Sequence, residues 1–178
     1  MGIFEVIEEQ AIIGFSGKIN FQSKVDGHFI GSIFLLDGKI CNCHFDKTQE
    51  IKAMVSLYIY LAENNEFQVI LEPEIIAIHQ SKIDIPISRI KKLCEDSLLK
   101  YNNTKSHRPP DHIRLMINES IFESNLEISA SEYKLLCTIS DNSLVKDIYR
   151  ECKLLDFEIT HHLIELRKKD VLKVVQSK

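Results

Sequence analysis

The chain has 178 residues, a formal net charge of −4, 44% hydrophobic residues and 27% charged residues. Those proportions describe a globular protein with room for two small domains and exclude a low-complexity polymer. The longest apolar run, 29–36, is far too short to cross a bilayer and contains Gly31 and Ser32, which excludes membrane insertion by a helix.

Residues 1–17 hold Glu5, Glu8 and Glu9 and no basic residue, so no secretory signal is expected. Gly2 is followed by Val6 where a myristoylation signal needs Ser or Thr. The five cysteines, Cys41, Cys43, Cys94, Cys137 and Cys152, are odd in number and scattered. That usage points to a reducing compartment, and the expected location is the cytoplasm. Charge is unevenly spread. Residues 1–80 carry five basic against eleven acidic side chains, a net of −6, so nucleic-acid contact would have to come from the C-terminal half.

In chain order, 3–13 places Ile3, Phe4, Ile7, Ala11 and Ile12 at helical spacing. Residues 17–22 read as a strand with Ile19 and Phe21 on one face, and 28–36 as a second strand. Asp37-Gly38 between apolar runs is a strong hairpin signal, because a type I′ turn needs positive φ at both central positions. Alternation in the third strand, 39–45, sets Ile40 opposite to Cys41, Cys43 and Phe45. Thr48 reads as the N-cap of a helix to Glu63 with Ile51, Val55, Tyr58, Ile59 and Ala62 on one side. Residues 66–71 alternate again, with Phe67, Val69 and Leu71 inward.

Residues 74–84 read as an irregular connection. Pro86 then opens a helix over 87–102 with the stripe Ile87, Ile90, Cys94, Leu98 and Tyr101. The polar stretch 102–110 ends in Arg108-Pro109-Pro110, a domain boundary. A short helix is expected at 111–119. Beyond Ser129, three helices follow: one with Tyr133, Leu135, Leu136 and Ile139, with Glu132 at its start; one over 145–152; and one over 158–169 burying Ile159, Leu163, Ile164 and Leu166. Val171 to Val175 alternates as a strand, completing a winged-helix pattern.

The expectation is therefore an α+β fold: an antiparallel hairpin sheet with helices over 1–102, a connector over 103–124, and a winged-helix-like domain over 125–178.

Cys41-x-Cys43-His44 invites a metal site completed by His79 or His28. No second Cys pair exists, and the favoured reading is two small residues filling a sheet face. His161, His162 and Glu165 do not match His-Glu-x-x-His and read as a solvated helix face. No nucleophile elbow, P-loop or dinucleotide fingerprint is present, so no catalytic residue, metal or cofactor is expected.

The stripe Ile87, Ile90, Cys94, Leu98 and Tyr101 is either a cover for its own sheet, the favoured reading, or a seam for a partner protein or a second copy. Arg167-Lys168-Lys169 closes the last helix. It is either a basic turn complementing the helix dipole or a phosphate contact for DNA. Residues 129–178 hold nine basic against eight acidic side chains, a weak charge for a DNA reader.

Two segments carry a resemblance. Phe15-Ser16-Gly17-Lys18-Ile19-Asn20-Phe21 followed by Gly31-Ser32-Ile33-Phe34-Leu35-Leu36-Asp37-Gly38-Lys39-Ile40-Cys41-Asn42-Cys43 resembles the PATAN domain. The helix with Ala53 and Leu57, then Asn65-Glu66-Phe67-Gln68-Val69, is similar to that family's next segment. Residues 86–101 are similar to its closing helix, and 135–141, 145–148 and 157–172 to the winged-helix module often attached to it. The chain departs from the pattern at Cys43, where the family has alanine, and at Asn65, where it has glycine. It also lacks the family's first strand. The resemblance implies a bacterial signalling adaptor without catalytic residues that binds a protein partner. Regulation of transcription through DNA is the alternative.

Overall fold

The computed structural model describes residues 2–46, 48–77, 81–118 and 126–175. It is a mixed α+β structure that divides into two compact units, Met1–Leu99 and Lys100–Lys178.

The first unit opens with α1 (Ile3–Ile12), whose Ile3, Phe4, Val6 and Ile7 are buried. Ile12 was expected on that buried side, but it is 85% exposed; in the last turn it is Ala11 that meets the sheet, at Gly38. Strands β1 (Gly17–Ser23), β2 (Phe29–Leu36) and β3 (Lys39–Phe45) form an antiparallel meander. The β2–β3 turn is Asp37-Gly38 with φ of 49° and 74°, the left-handed pair that a tight hairpin demands.

Thr48 does not cap a helix. Thr48–Gln49 form a two-residue strand, β4, and the Thr48 hydroxyl donates to the Phe45 carbonyl (2.7 Å). Helix α2 (Glu50–Glu63) starts after it, and β5 (Phe67–Pro73) returns beside β1. The sheet order is β4-β3-β2-β1-β5.

The expected burial pattern of α2 is corrected. Its core residues are Ala53, Met54, Val55, Leu57, Ile59 and Leu61, whereas Ala62 is exposed. The helix is apolar on two sides because it has two neighbours. It packs on β3, and Tyr58 meets Phe4 of α1 with ring centroids 5.6 Å apart.

The register also corrects the expected alternation of β3. Phe34 pairs with Asn42 but Leu35 pairs with Ile40, so Cys41 is an extra residue in a bulge. The slip returns Ile40 to the same face as Cys43 and Phe45, with Leu35 and Ile33 beside them. Helix α3 (Ile87–Thr104) follows Pro86, whose carbonyl accepts from Arg89 and Ile90.

In the second unit, β6 (Arg114–Ile117) stands where a short helix was expected. It pairs antiparallel with β7 (Leu172–Val175), a contact from the far end of the chain that overrides local preference. Glu119, the end of that expected helix, lies outside the described residues. Helices α4 (Ala130–Asp141), α5 (Val145–Glu151) and α6 (Asp156–Lys168) lie between the two strands in sequence. Their core includes Leu135, Ile139, Ile148, Ile159, Leu163 and Leu166. Tyr133 of α4 is 64% exposed, and Ile164, expected to be buried, is half-buried.

Candidate functional site

Helix α3 positions the predicted stripe as follows. Ile90 and Cys94 are fully buried, whereas Ile87, Leu98 and Tyr101 are half-buried. Lys91 anchors the helix, pairing with Glu8 of α1 (2.9 Å) and lying over the Phe4 ring. Burial and the neighbouring Glu95 push the Cys94 thiol up to about 12. Of the stripe, Ile90 and Cys94 thus belong to the core of the first unit. The apolar side chains that α3 presents to solvent are Leu93 and Leu99, at 40% and 63% exposed.

The bulge separates Cys41 from Cys43. Cys41 sits beside the Phe34 carbonyl at 3.3 Å, whereas Cys43 is fully buried. Burial raises both thiols, and Cys94 adds to the effect on Cys43, so these sulfurs stay protonated and poorly nucleophilic at neutral pH. Among the described residues, no three His, Cys, Asp or Glu side chains are gathered to hold a metal ion. His28 contacts Asp26 in the β1–β2 turn (2.6 Å), and His79 lies outside the described residues.

The opposite sheet face carries a feature that motif reading missed. Asn20, Ser32 and His44 occupy paired positions on β1, β2 and β3, and Lys18, Phe34 and Asn42 form the next row. Asn20, Ser32 and Asn42 are buried, and Ser32 donates to the Asn20 carbonyl oxygen. The Phe34 and His44 rings meet with centroids 4.7 Å apart, tilted by 58°, and Lys18 lies over Phe34 while pairing with Glu74 (2.6 Å). A hollow of about 330 Å³ borders this patch, lined also by Cys41, Ile76 and Lys82. The polar partner of His44 is the Asn42 amide (3.4 Å), not the carboxylate that orients a general base. The row of polar residues at every second position of β1 was the signal available in the sequence.

In the second unit, two of the three predicted phosphate-contacting cations are already engaged. Lys168 pairs with Glu165 (2.8 Å) and Lys169 with Glu132 (2.7 Å), while Arg167 is exposed and pairs with no carboxylate among the described residues. Glu132 also closes a capping box: its carboxylate accepts from the Ser129 amide (2.8 Å), and the Ser129 hydroxyl accepts from the Glu132 amide (3.2 Å). Burial alone would raise this carboxyl, but Lys169 and Ser129 outweigh it and hold it at about 2. His161 and His162 stand side by side with ring centroids 5.5 Å apart. Burial and the His161 charge lower the pKa of His162.

Strand β5 forms one edge of the five-stranded sheet. The Lys24 amide donates to the Glu66 carbonyl (2.9 Å) and the Glu74 amide to the Ser16 carbonyl (3.3 Å). These bonds set the phase of the ladder: even-numbered residues of β5 turn their backbone groups to β1. Phe67, Val69 and Leu71 therefore point their amides and carbonyls outward. Among the described residues no strand lies beyond them. Their side chains are half-buried or, for Leu71, 41% exposed. No charged residue interrupts 67–71.

Among the described residues, no helix is long and apolar enough to cross a membrane. Comparison of the chain with protein-family models, with curated proteins and with solved structures finds no match.

Proposed function

We propose that this chain is a non-enzymatic bacterial signalling adaptor. It combines a PATAN-like sheet domain, residues 1–102, with a winged-helix-like module, residues 125–178, and its partner is another protein in the cytoplasm. The observation that carries this reading is the open outer edge of β5. Phe67, Val69 and Leu71 turn amide and carbonyl pairs outward, met by no strand among the described residues, beside apolar side chains, the arrangement to which an extended segment of another protein adds as a strand. The buried, protonated thiols and the amide-partnered His44 support a binding role over catalysis.

The test is capture of the partner from the source cell with wild-type chain, Val69→Pro and Val69→Thr. Proline at 69 removes an outward amide and spares the bonds to β1, a placement that edge strands tolerate. The expected result is a partner retained by wild type and Val69→Thr and lost with Val69→Pro. Hydrogen exchange at Phe67, Val69 and Leu71 should also slow in the complex. A partner bound equally by all three proteins, with no change in exchange at this edge, would overturn the reading. The alternative, transcriptional regulation through DNA contact by Arg167, Lys168 and Lys169, is weakened by the ion pairs that Lys168 and Lys169 already make.

A further inference from the structure

The second unit holds an open, largely apolar hollow of about 290 Å³ that the adaptor reading does not use. Its floor is Leu115 of β6, Leu163 of α6 and Leu172 of β7, none more than 7% exposed. Pro109, Ile113 and Ile164 form its walls. The volume is roughly twice that of the ~150 Å³ apolar cavity that takes up benzene, so a ligand of about ten non-hydrogen atoms fits.

Two guanidinium groups line this hollow, and they differ. Arg108 is occupied: it donates to Asp111 and Asp156 (3.1 Å each) and stacks 4.1 Å above the Tyr149 ring. Arg167 lies three and four residues beyond Ile164 and Leu163, on the same side of α6. It pairs with no carboxylate among the described residues. An unpaired guanidinium presents a planar fork of donors that matches a carboxylate, and here the fork stands beside apolar walls.

We propose that this hollow binds a small amphipathic carboxylate, an aliphatic or aromatic acid, with its apolar body on Leu115, Leu163 and Leu172 and its carboxylate on Arg167. An apolar trough with one convergent charged group is the usual anatomy of a small-molecule site. The mixed character sets the specificity. A neutral isostere keeps the apolar contact and loses the ion pair, whereas a small inorganic anion keeps only the charge.

The test is calorimetric and NMR titration of the full chain with octanoate and, in parallel, with octanol. One saturable octanoate site is expected, with shifts at the Leu163 and Leu172 methyl groups. Octanol should bind about tenfold or more weakly, the value of a charge-assisted hydrogen bond. Arg167→Gln should reduce octanoate to the level of octanol, and Arg167→Lys should recover part of the loss. Lys168→Gln should change nothing, since Lys168 is paired with Glu165. Because Arg167 is exposed, circular dichroism of its variants should match wild type. Equal affinity for octanoate and octanol, insensitivity to Arg167→Gln, or no saturation at millimolar ligand would each overturn the proposal.

Discussion

Gly38 shows how one residue carries both a turn and a packing contact. Its φ is 74°, and a Cβ added there would stand 2.6 Å from the backbone oxygen of Ala11. Gly27 has nearly the same φ, 72°, with nothing within 4 Å. Gly27→Ala should therefore cost about 1 kcal/mol, the conformational strain alone. Gly38→Val should cost roughly 3 kcal/mol or more, since strain and a backbone clash add. Thermal unfolding of the two variants checks the difference. Asp37-Gly38 was legible as a turn because its chemistry is local, whereas the approach of Ala11 was not.

Lys169 makes the complementary case for charge. Lys169→Ala should leave a nearly buried carboxylate with its capping bonds but no counter-ion, at a cost of about 2 kcal/mol at neutral pH. The pH dependence has a definite sign. Glu132 is held at about 2 in the fold against an ordinary 4.5, so its contribution is present above pH 4.5 and is lost as pH falls toward 2. Removing Lys169 should flatten that loss, which urea unfolding at pH 7 and pH 3 would measure. The Ser-x-x-Glu spacing of Ser129 and Glu132 is readable as a capping box from sequence, but the ion pair to a residue on another helix is not.

Elements show the same division. Apolar alternation located β1, β3 and β5, and an apolar run ending at the Asp37-Gly38 turn located β2, since such patterns are properties of a strand's own residues. Their faces depended on register. The Cys41 bulge reverses the alternation across β3 and puts Ile40 with Cys43, which no count along the strand reveals. The same sheet buries a polar pair, and Ser32→Ala should leave the Asn20 side chain short of a donor inside the patch. A loss of about 1 kcal/mol is expected, measured by denaturant unfolding. On α3, the 3.6-residue period placed Ile90 and Cys94 on one stripe, and packing decided that these two are its fully buried members. The β5 edge follows from the order of strands and from two backbone bonds, neither of which is written in residues 67–73.

At the scale of the whole molecule, each unit has its own buried residues: Ile19, Phe21, Ile33 and Leu57 in one, Leu135, Ile148, Ile159 and Leu166 in the other. Separate cores predict separable unfolding. Leu57→Ala should lower one calorimetric transition and Ile148→Ala a second, each by the 2–5 kcal/mol typical of a large-to-small core change, roughly stated. A single transition shifted equally by both would show one cooperative unit. By itself the sequence determined where β1, β2, β3, β5 and β7 lie, the β2–β3 turn and the mixed α+β class, because periodicity and turn chemistry are encoded within a few neighbouring residues. Only the tertiary structure decided that β6 replaces a helix, that the outer edge of β5 meets no strand among the described residues, and that Arg167, paired with no carboxylate among them, lines an apolar hollow. Those outcomes depend on contacts between residues tens of positions apart, whose energies local preference does not contain.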